Sequence, residues 1–324
     1  MNPENLAGGF RSLRGTLHGR ALTGVLLTFL AFSQQVSAQG QDSERYERDR
    51  MVIATLLDGR FDNANQNYFD RRGGAEDPQR RRHQRVQPRA DLGADVFAVT
   101  GYWDSKPAET LAGEVWALRE NPQEAAVELW VWAVDDPLAD RVRFDDQKPD
   151  CVLRWRREAA QFSAERVSEC KKSLPGEVVI SDRELWVRPS DAQTAYRLHR
   201  ARPFFCYADV PGVGGGRDEP YERYGDFPLH DQGDLHWFTT KEGRRLGVSL
   251  FLVDWPINNY EEMFARDSLV VYLSEELVDS DGEVSVKQHG YSFTVPEADR
   301  IGLNLKWALV NCFMQSNRDA TPSM

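Results

Sequence analysis

From Val96 onward, apolar residues return at every second position. Val127, Leu129, Val131 and Ala133 alternate with Glu128, Trp130, Trp132 and Val134, and Ile301, Leu303, Leu305, Trp307 and Leu309 alternate with Gly302, Asn304, Lys306 and Ala308. Successive strand side chains point to opposite faces, whereas a helix face repeats every three or four residues, so this period commits the chain to β structure. Both faces of the 127–134 segment are apolar. Further segments of this kind are 97–103, 112–119, 151–156, 162–168, 177–187, 194–199, 247–254, 268–274, 283–288 and 291–295. Turn signals such as Ser280-Asp281-Gly282 and His289-Gly290 separate several of them. Many short strands with few helices between them imply an all-β antiparallel meander that closes into a cup or barrel. One helix is expected over 43–58, flanking the barrel, with Met51, Val52, Leu56 and in part Ile53 on its apolar face. The Arg-, Gly- and Pro-rich stretch 70–95, with Arg80-Arg81-Arg82-His83, reads as an exposed insertion.

The amino terminus reads differently. Arg11, Arg14 and Arg20 precede an apolar run from Ala21 to Phe32, and Val36-Ser37-Ala38 sets small residues where a signal peptidase cuts. Residues 1–38 are expected to be a secretory signal, which makes the protein periplasmic or secreted, with no membrane span once the signal is removed. An uncleaved anchor is the other reading. Net charge is -11 from 51 acidic and 40 basic residues; three arginines and one glutamate leave with the signal, so 37 basic face 50 acidic and the net becomes -13. Such a surface repels polyanions, and nucleic acid is excluded as a partner. With 41% hydrophobic and 11% aromatic residues the chain is too apolar to be disordered.

Export makes the four cysteines candidates for disulfides, because the compartment is oxidising and no Cys-x-x-Cys spacing offers a metal or redox motif. The segments from Cys151 and to Cys170 both alternate around Glu158-Ala159-Ala160-Gln161; a hairpin whose facing residues sum to 321 sets Cys151 opposite Cys170 and leaves Cys206 for Cys312. Free buried thiols are the other reading. His230-Asp231 with Asp234 and His236 matches neither a zincin helix nor an EF-hand and suits a polar turn, so no metal is assigned. Gly212-Val213-Gly214-Gly215-Gly216 lacks the Lys-Ser or Lys-Thr of a phosphate loop, and no Gly-x-Ser-x-Gly elbow is present.

The order of Leu56-Leu57-Asp58-Gly59-Arg60-Phe61-Asp62-Asn63 with Gln66, then Leu111-Ala112-Gly113-Glu114-Val115, then Cys151 with Trp155, Phe162 and Cys170 resembles the CpcT/CpeT chromophore lyase family. The resemblance covers residues 50–206, about half the chain. It implies a lipocalin-like cup over 39–206 that holds an open-chain tetrapyrrole and assists its thioether attachment to a cysteine of an acceptor protein. Residues 207–324 are a β-rich extension continuous with the same domain. In this reading Glu114 is the acid, Arg119, Arg141 and Arg143 pair the propionates, and Trp103, Trp116, Trp130 and Trp132 form apolar walls. No cofactor is required beyond a bound bilin. Pro122 is followed by Gln123-Glu124-Ala125-Ala126 rather than the family's Pro-Tyr-Arg segment. The second class is therefore a non-catalytic exported barrel, a binding or structural module whose interior is filled by its own side chains.

Overall fold

Ten strands close on one another in the computed structural model, which describes residues 44–104, 106–139, 142, 144, 147–211, 220–258 and 263–314. They are β1 (Gly59–Asp62), β2 (Arg82–Pro88), β3 (Val96–Trp103), β4 (Gly113–Asn121), β5 (Ala126–Val134), β6 (Cys151–Glu158), β7 (Gln161–Arg166), β8 (Pro175–Ile180), β9 (Glu184–Pro189) and β10 (Tyr196–Ala201). β2 to β10 form an antiparallel meander, and β1 pairs with both β10 and β2 to complete the barrel. The fold is the expected all-β closed meander. Full closure removes the free strand edges that an open sheet of this width would expose.

A buried cluster draws side chains from all ten strands, among them Phe61, Val86, Phe97, Trp116, Leu129, Leu153, Phe162, Val178, Leu185 and Leu198. Residues contributed by every strand of a closed barrel meet only in its interior. A helix, α1 (44–57), adds Ile53 and Leu57 to this cluster. Its buried face differs from expectation: Met51 and Val52 are exposed, because contact with the barrel selects Ile53 and Leu57, four residues apart. A second buried cluster, built on Val96, Val115, Ala117, Trp132 and Phe144, lies on the opposite face of β3 to β5.

Beyond Ala201 the chain builds two four-stranded sheets. One has the order β12 (Tyr221–His230), β11 (Pro203–Pro211), β18 (Leu309–Met314), β17 (Arg300–Asn304); the other runs β13 (Gln232–Thr239), β14 (Arg245–Asn258), β15 (Met263–Val278), β16 (Val284–Thr294). Phe204, Ala208 and Val310 of the first share an apolar core with Leu246, Leu250 and Leu273 of the second, so the two form a sandwich. The expected division at residue 206 falls inside β11. The chain divides into two units, Met1–Arg45 and Tyr46–Met324, and barrel and sandwich both belong to the second.

The disulfides join Cys151 to Cys170 and Cys206 to Cys312. The register that led to the first pair is corrected. In β6 and β7, Leu153 faces Arg166, Trp155 faces Ala164 and Glu158 faces Gln161, a sum of 319 rather than 321. The Val167 amide still bonds the Val152 carbonyl at 2.8 Å, but the Val152 amide bonds the side chain of Ser168 instead of the backbone, so the chain leaves regular pairing after Val167, before Cys170 returns to Cys151. Cys206 and Cys312 are direct neighbours across β11 and β18. The 70–95 stretch is not an exposed insertion, since it contains β2. The 177–187 run splits into β8 and β9, the 301–309 run into β17 and β18, and His289-Gly290 is a bulge within β16 rather than a turn. Among the described residues no helix is long and apolar enough to cross a membrane. The expected signal 1–38, the Gly212 loop, Arg141 and Arg143 lie outside the described residues.

Candidate functional site

The motif Gly59-x-Phe61-x-Asn63 with Gln66 shapes one end of the barrel. Arg200 of β10 donates to the carbonyls of Leu56 and Asp58 at the end of α1 and lies over the Phe61 ring, 4.7 Å from its centroid. A Cβ on residue 59 would meet that guanidinium and the Phe61 ring, so a larger residue there would displace the Arg200 side chain. Asn63 accepts from the Arg82 amide at 2.6 Å and donates to Gln66, which in turn donates to the Ala195 carbonyl at 3.0 Å. These bonds tie β1, β2, β10 and α2 (Ala64–Arg72) together.

At this end the interior becomes polar. Alternation along β2 places Arg82 and Gln84 on the same face as Val86, and alternation along β4 places Glu114 with Trp116 and Leu118. Glu114 is 5% exposed and accepts from Trp116 Nε1 at 2.6 Å. Burial drives its pKa up, and the charge of Arg82 and the indole bond offset this only in part, so the carboxyl titrates above its usual range. Arg82, 6% exposed, lies 5.3 Å from the Tyr196 ring centroid, and burial lowers its pKa against the attraction of Glu114. Its Nε and both amide atoms of Gln84 are buried with no hydrogen-bond partner among the described residues. Unsatisfied buried polar atoms are costly, typically about 1–3 kcal/mol each, and three of them lie on the interior face of β2, where Arg82 interacts with Glu114.

Of the residues expected to serve a ligand, the structure brings Glu114 and Trp116 together in the interior. Trp103 is half-buried next to Tyr196, with ring centroids 5.8 Å apart, near the same end. Trp130 and Trp132 lie on the outer face, against each other and against Phe144, and Trp132 Nε1 donates to the Gln147 carbonyl at 3.0 Å. Arg119 faces outward by the alternation of β4, in register with Glu128. Arg82, Gln84 and Tyr196 were missed. Their signal was the alternation of Arg82, Gln84 and Val86, masked by the charged and polar residues around it.

On the other face of β2, His83 joins Asp62 and His230 within 4.8 Å, all three buried. Asp62 accepts His83 Nδ1 at 2.5 Å, Arg81 Nε at 3.1 Å and the Ala64 amide at 2.7 Å. Burial pushes the Asp62 carboxyl up, but His83 and Arg81 outweigh it, and its pKa falls below the ordinary value. Arg81 also donates to the carbonyls of Gln232 and Gly233, and Asp231 accepts from Arg202, so the cluster joins barrel to sandwich. With its lone pairs engaged by these donors, Asp62 acts as the centre of a lock rather than as an open metal ligand. Burial lowers the His230 pKa more than Asp234 and Asp62 raise it. A cavity of about 360 Å³, lined in part by Arg60, Arg85, Tyr102 and both histidines, opens beside the lock. No family model, curated protein or solved structure matches the chain.

Proposed function

We propose that the barrel binds an elongated, carboxylate-bearing ligand, an open-chain tetrapyrrole in the reading set by the CpcT/CpeT resemblance, at the Arg82–Gln84–Glu114 end. The observation that carries this reading is the set of unsatisfied buried atoms, Arg82 Nε and the Gln84 amide, beside an acid with a raised pKa. A ligand carboxylate would supply the missing acceptor for Arg82, and pyrrole and lactam groups would satisfy Gln84. Glu114, whose buried carboxyl holds its proton more tightly than a free one, would donate that proton to one carbon of the ligand's exocyclic double bond as an acceptor thiolate forms the carbon–sulfur bond at the other. The thiol's own proton then restores the acid, so no atom is lost and no oxidant is needed. Trp116 holds the carboxyl in place through its indole N–H. The two disulfides support a site of binding outside the cytoplasm, and the signal-like amino terminus favours the periplasm or the cell exterior.

A second reading, a non-catalytic barrel filled by its own side chains, is favoured by the interior cluster drawn from all ten strands, with Phe61, Trp116, Leu129 and Leu153 at most 1% exposed. Mixing the mature protein with phycocyanobilin or biliverdin separates the two. The first reading requires a shifted visible band and quenched tryptophan fluorescence at micromolar ligand, abolished by Gln84→Leu. An unchanged spectrum with both bilins supports the filled barrel.

A further inference from the structure

A cavity of about 400 Å³ lies between α2 and the sheet β13–β16, remote in chemistry from the barrel interior. Its walls are aromatic on both sides: Tyr68 and Phe69 from α2, with ring centroids 5.3 Å apart, and Phe251 and Tyr272 from β14 and β15, 5.7 Å apart. Tyr68 is 51% exposed and Phe69 41%, so this wall is open to solvent. None of the residues lining the cavity carries a charge, in a chain where 28% of residues do. Arg72 donates to the Tyr68 hydroxyl at 2.8 Å but does not itself line the cavity.

Four neutral polar side chains, Asn65, Ser249, Ser274 and Gln288, also line the cavity, and among the described residues none of them makes a side-chain hydrogen bond. The adjoining amides behave otherwise, since Asn63, Gln66, Asn67 and Gln79 are all engaged within the fold. A purely hydrocarbon occupant would strip water from these four groups and return nothing. The complement of aromatic walls with uncharged donors and acceptors between them is a molecule with apolar C–H faces and a rim of hydroxyls. We propose that this cavity binds a neutral oligosaccharide, with Tyr68 and Tyr272 packing on sugar-ring faces and Asn65, Ser249, Ser274 and Gln288 bonding its hydroxyls. Its size falls in the ordinary range for small-molecule sites and it sits between two structural layers, where such sites concentrate.

The test is calorimetric titration of the mature protein with maltotriose, cellotriose and tri-N-acetylchitotriose, with trigalacturonate and 1-octanol as charged and apolar controls. At least one neutral trisaccharide should bind saturably. Tyr272→Ala should weaken it by about tenfold or more, and Gln288→Ala and Ser274→Ala severalfold, with unchanged near-ultraviolet circular dichroism. Gln288 is exposed, so its variant reports binding even if Tyr272→Ala fails to fold. The proposal is overturned if none of the three trisaccharides binds at about 10 mM, where even a millimolar site saturates. It is equally overturned if trigalacturonate or octanol binds in their place, or if Gln288→Ala and Ser274→Ala leave the affinity unchanged.

Discussion

The barrel and the sandwich each bury a glutamate near an arginine, and the two arrangements behave in opposite ways. In the sandwich, Glu275 receives Arg244 through two bonds of 2.8 and 3.0 Å and His289 through a third of 2.7 Å. The Arg244 bonds lead the shift, outweighing burial with help from His289, and hold its pKa down to about 2. In the barrel, Glu114 and Arg82 share no hydrogen bond among the described residues, and burial dominates, raising the carboxyl. Glu275 is a structural ion pair whose charges are satisfied, whereas the barrel pair is held in an apolar interior with donors left over. A core shaped only for stability would be apolar, as the shared core of the sandwich is. The polar end of the barrel is where this molecule spends stability on something else.

The disulfides give the largest expected contrast. Cys206 and Cys312 are 106 residues apart in sequence, Cys151 and Cys170 only 19. On the loop-entropy model, Cys206→Ser should cost about 4–5 kcal/mol in urea unfolding and Cys151→Ser about 3. Equal costs would break the distinction between a sandwich stapled across its ends and a barrel stapled within one hairpin. Next is the lock between the two regions. Asp62→Asn weakens charge-assisted bonds to His83 and Arg81, and should cost about 2 kcal/mol. Amide exchange should rise at β1, β2 and the β12–β13 turn, and exchange confined to β1 would show that the lock does not join the regions.

A smaller effect is the pH response, and its sign differs between the regions. Glu275 and Asp62 have folded pKa values below their unfolded ones, so their stabilisation is complete above the ordinary carboxylate range and is lost as pH falls, for Glu275 towards about 2. Glu114 is raised, so its contribution is complete below the unfolded pKa, about 4.3 for a free glutamate, and is lost as pH rises through the folded value. Segment-resolved hydrogen exchange should therefore show the sandwich loosening on acidification while β4 loosens on alkalinisation. Glu114→Gln should remove the second trend and leave the first.

Much of the architecture was legible because strand alternation and turn residues are local signals: β3, β4, β5 and β6 lie within two residues of their expected bounds. Alternation shows that a strand has two faces without showing which is inside. β5 is apolar on both, and packing of Phe144 on its outer face, a tertiary fact, put Trp130 and Trp132 outside. β2 was hidden because buried Arg82, His83 and Gln84 read as a solvated loop, their burial depending on Asn63, Asp62 and Tyr196 far away in sequence or across strands. The half of the site that was legible, Glu114 and Trp116, lies on a strand with plain apolar neighbours. The missed half, Arg82 and Gln84, lies where charge overrides the pattern.

If the polar end of the barrel interior is kept for a ligand, the buried Arg82 and Glu114 lower the stability of the fold. Urea unfolding of Arg82→Met/Glu114→Leu tests it most directly, because removing both buried charges together avoids stranding either one. The double variant is predicted to be at least as stable as the wild type, by up to about 4 kcal/mol. A double variant that is destabilised by about 3 kcal/mol or more would contradict the account and make these residues part of the framework.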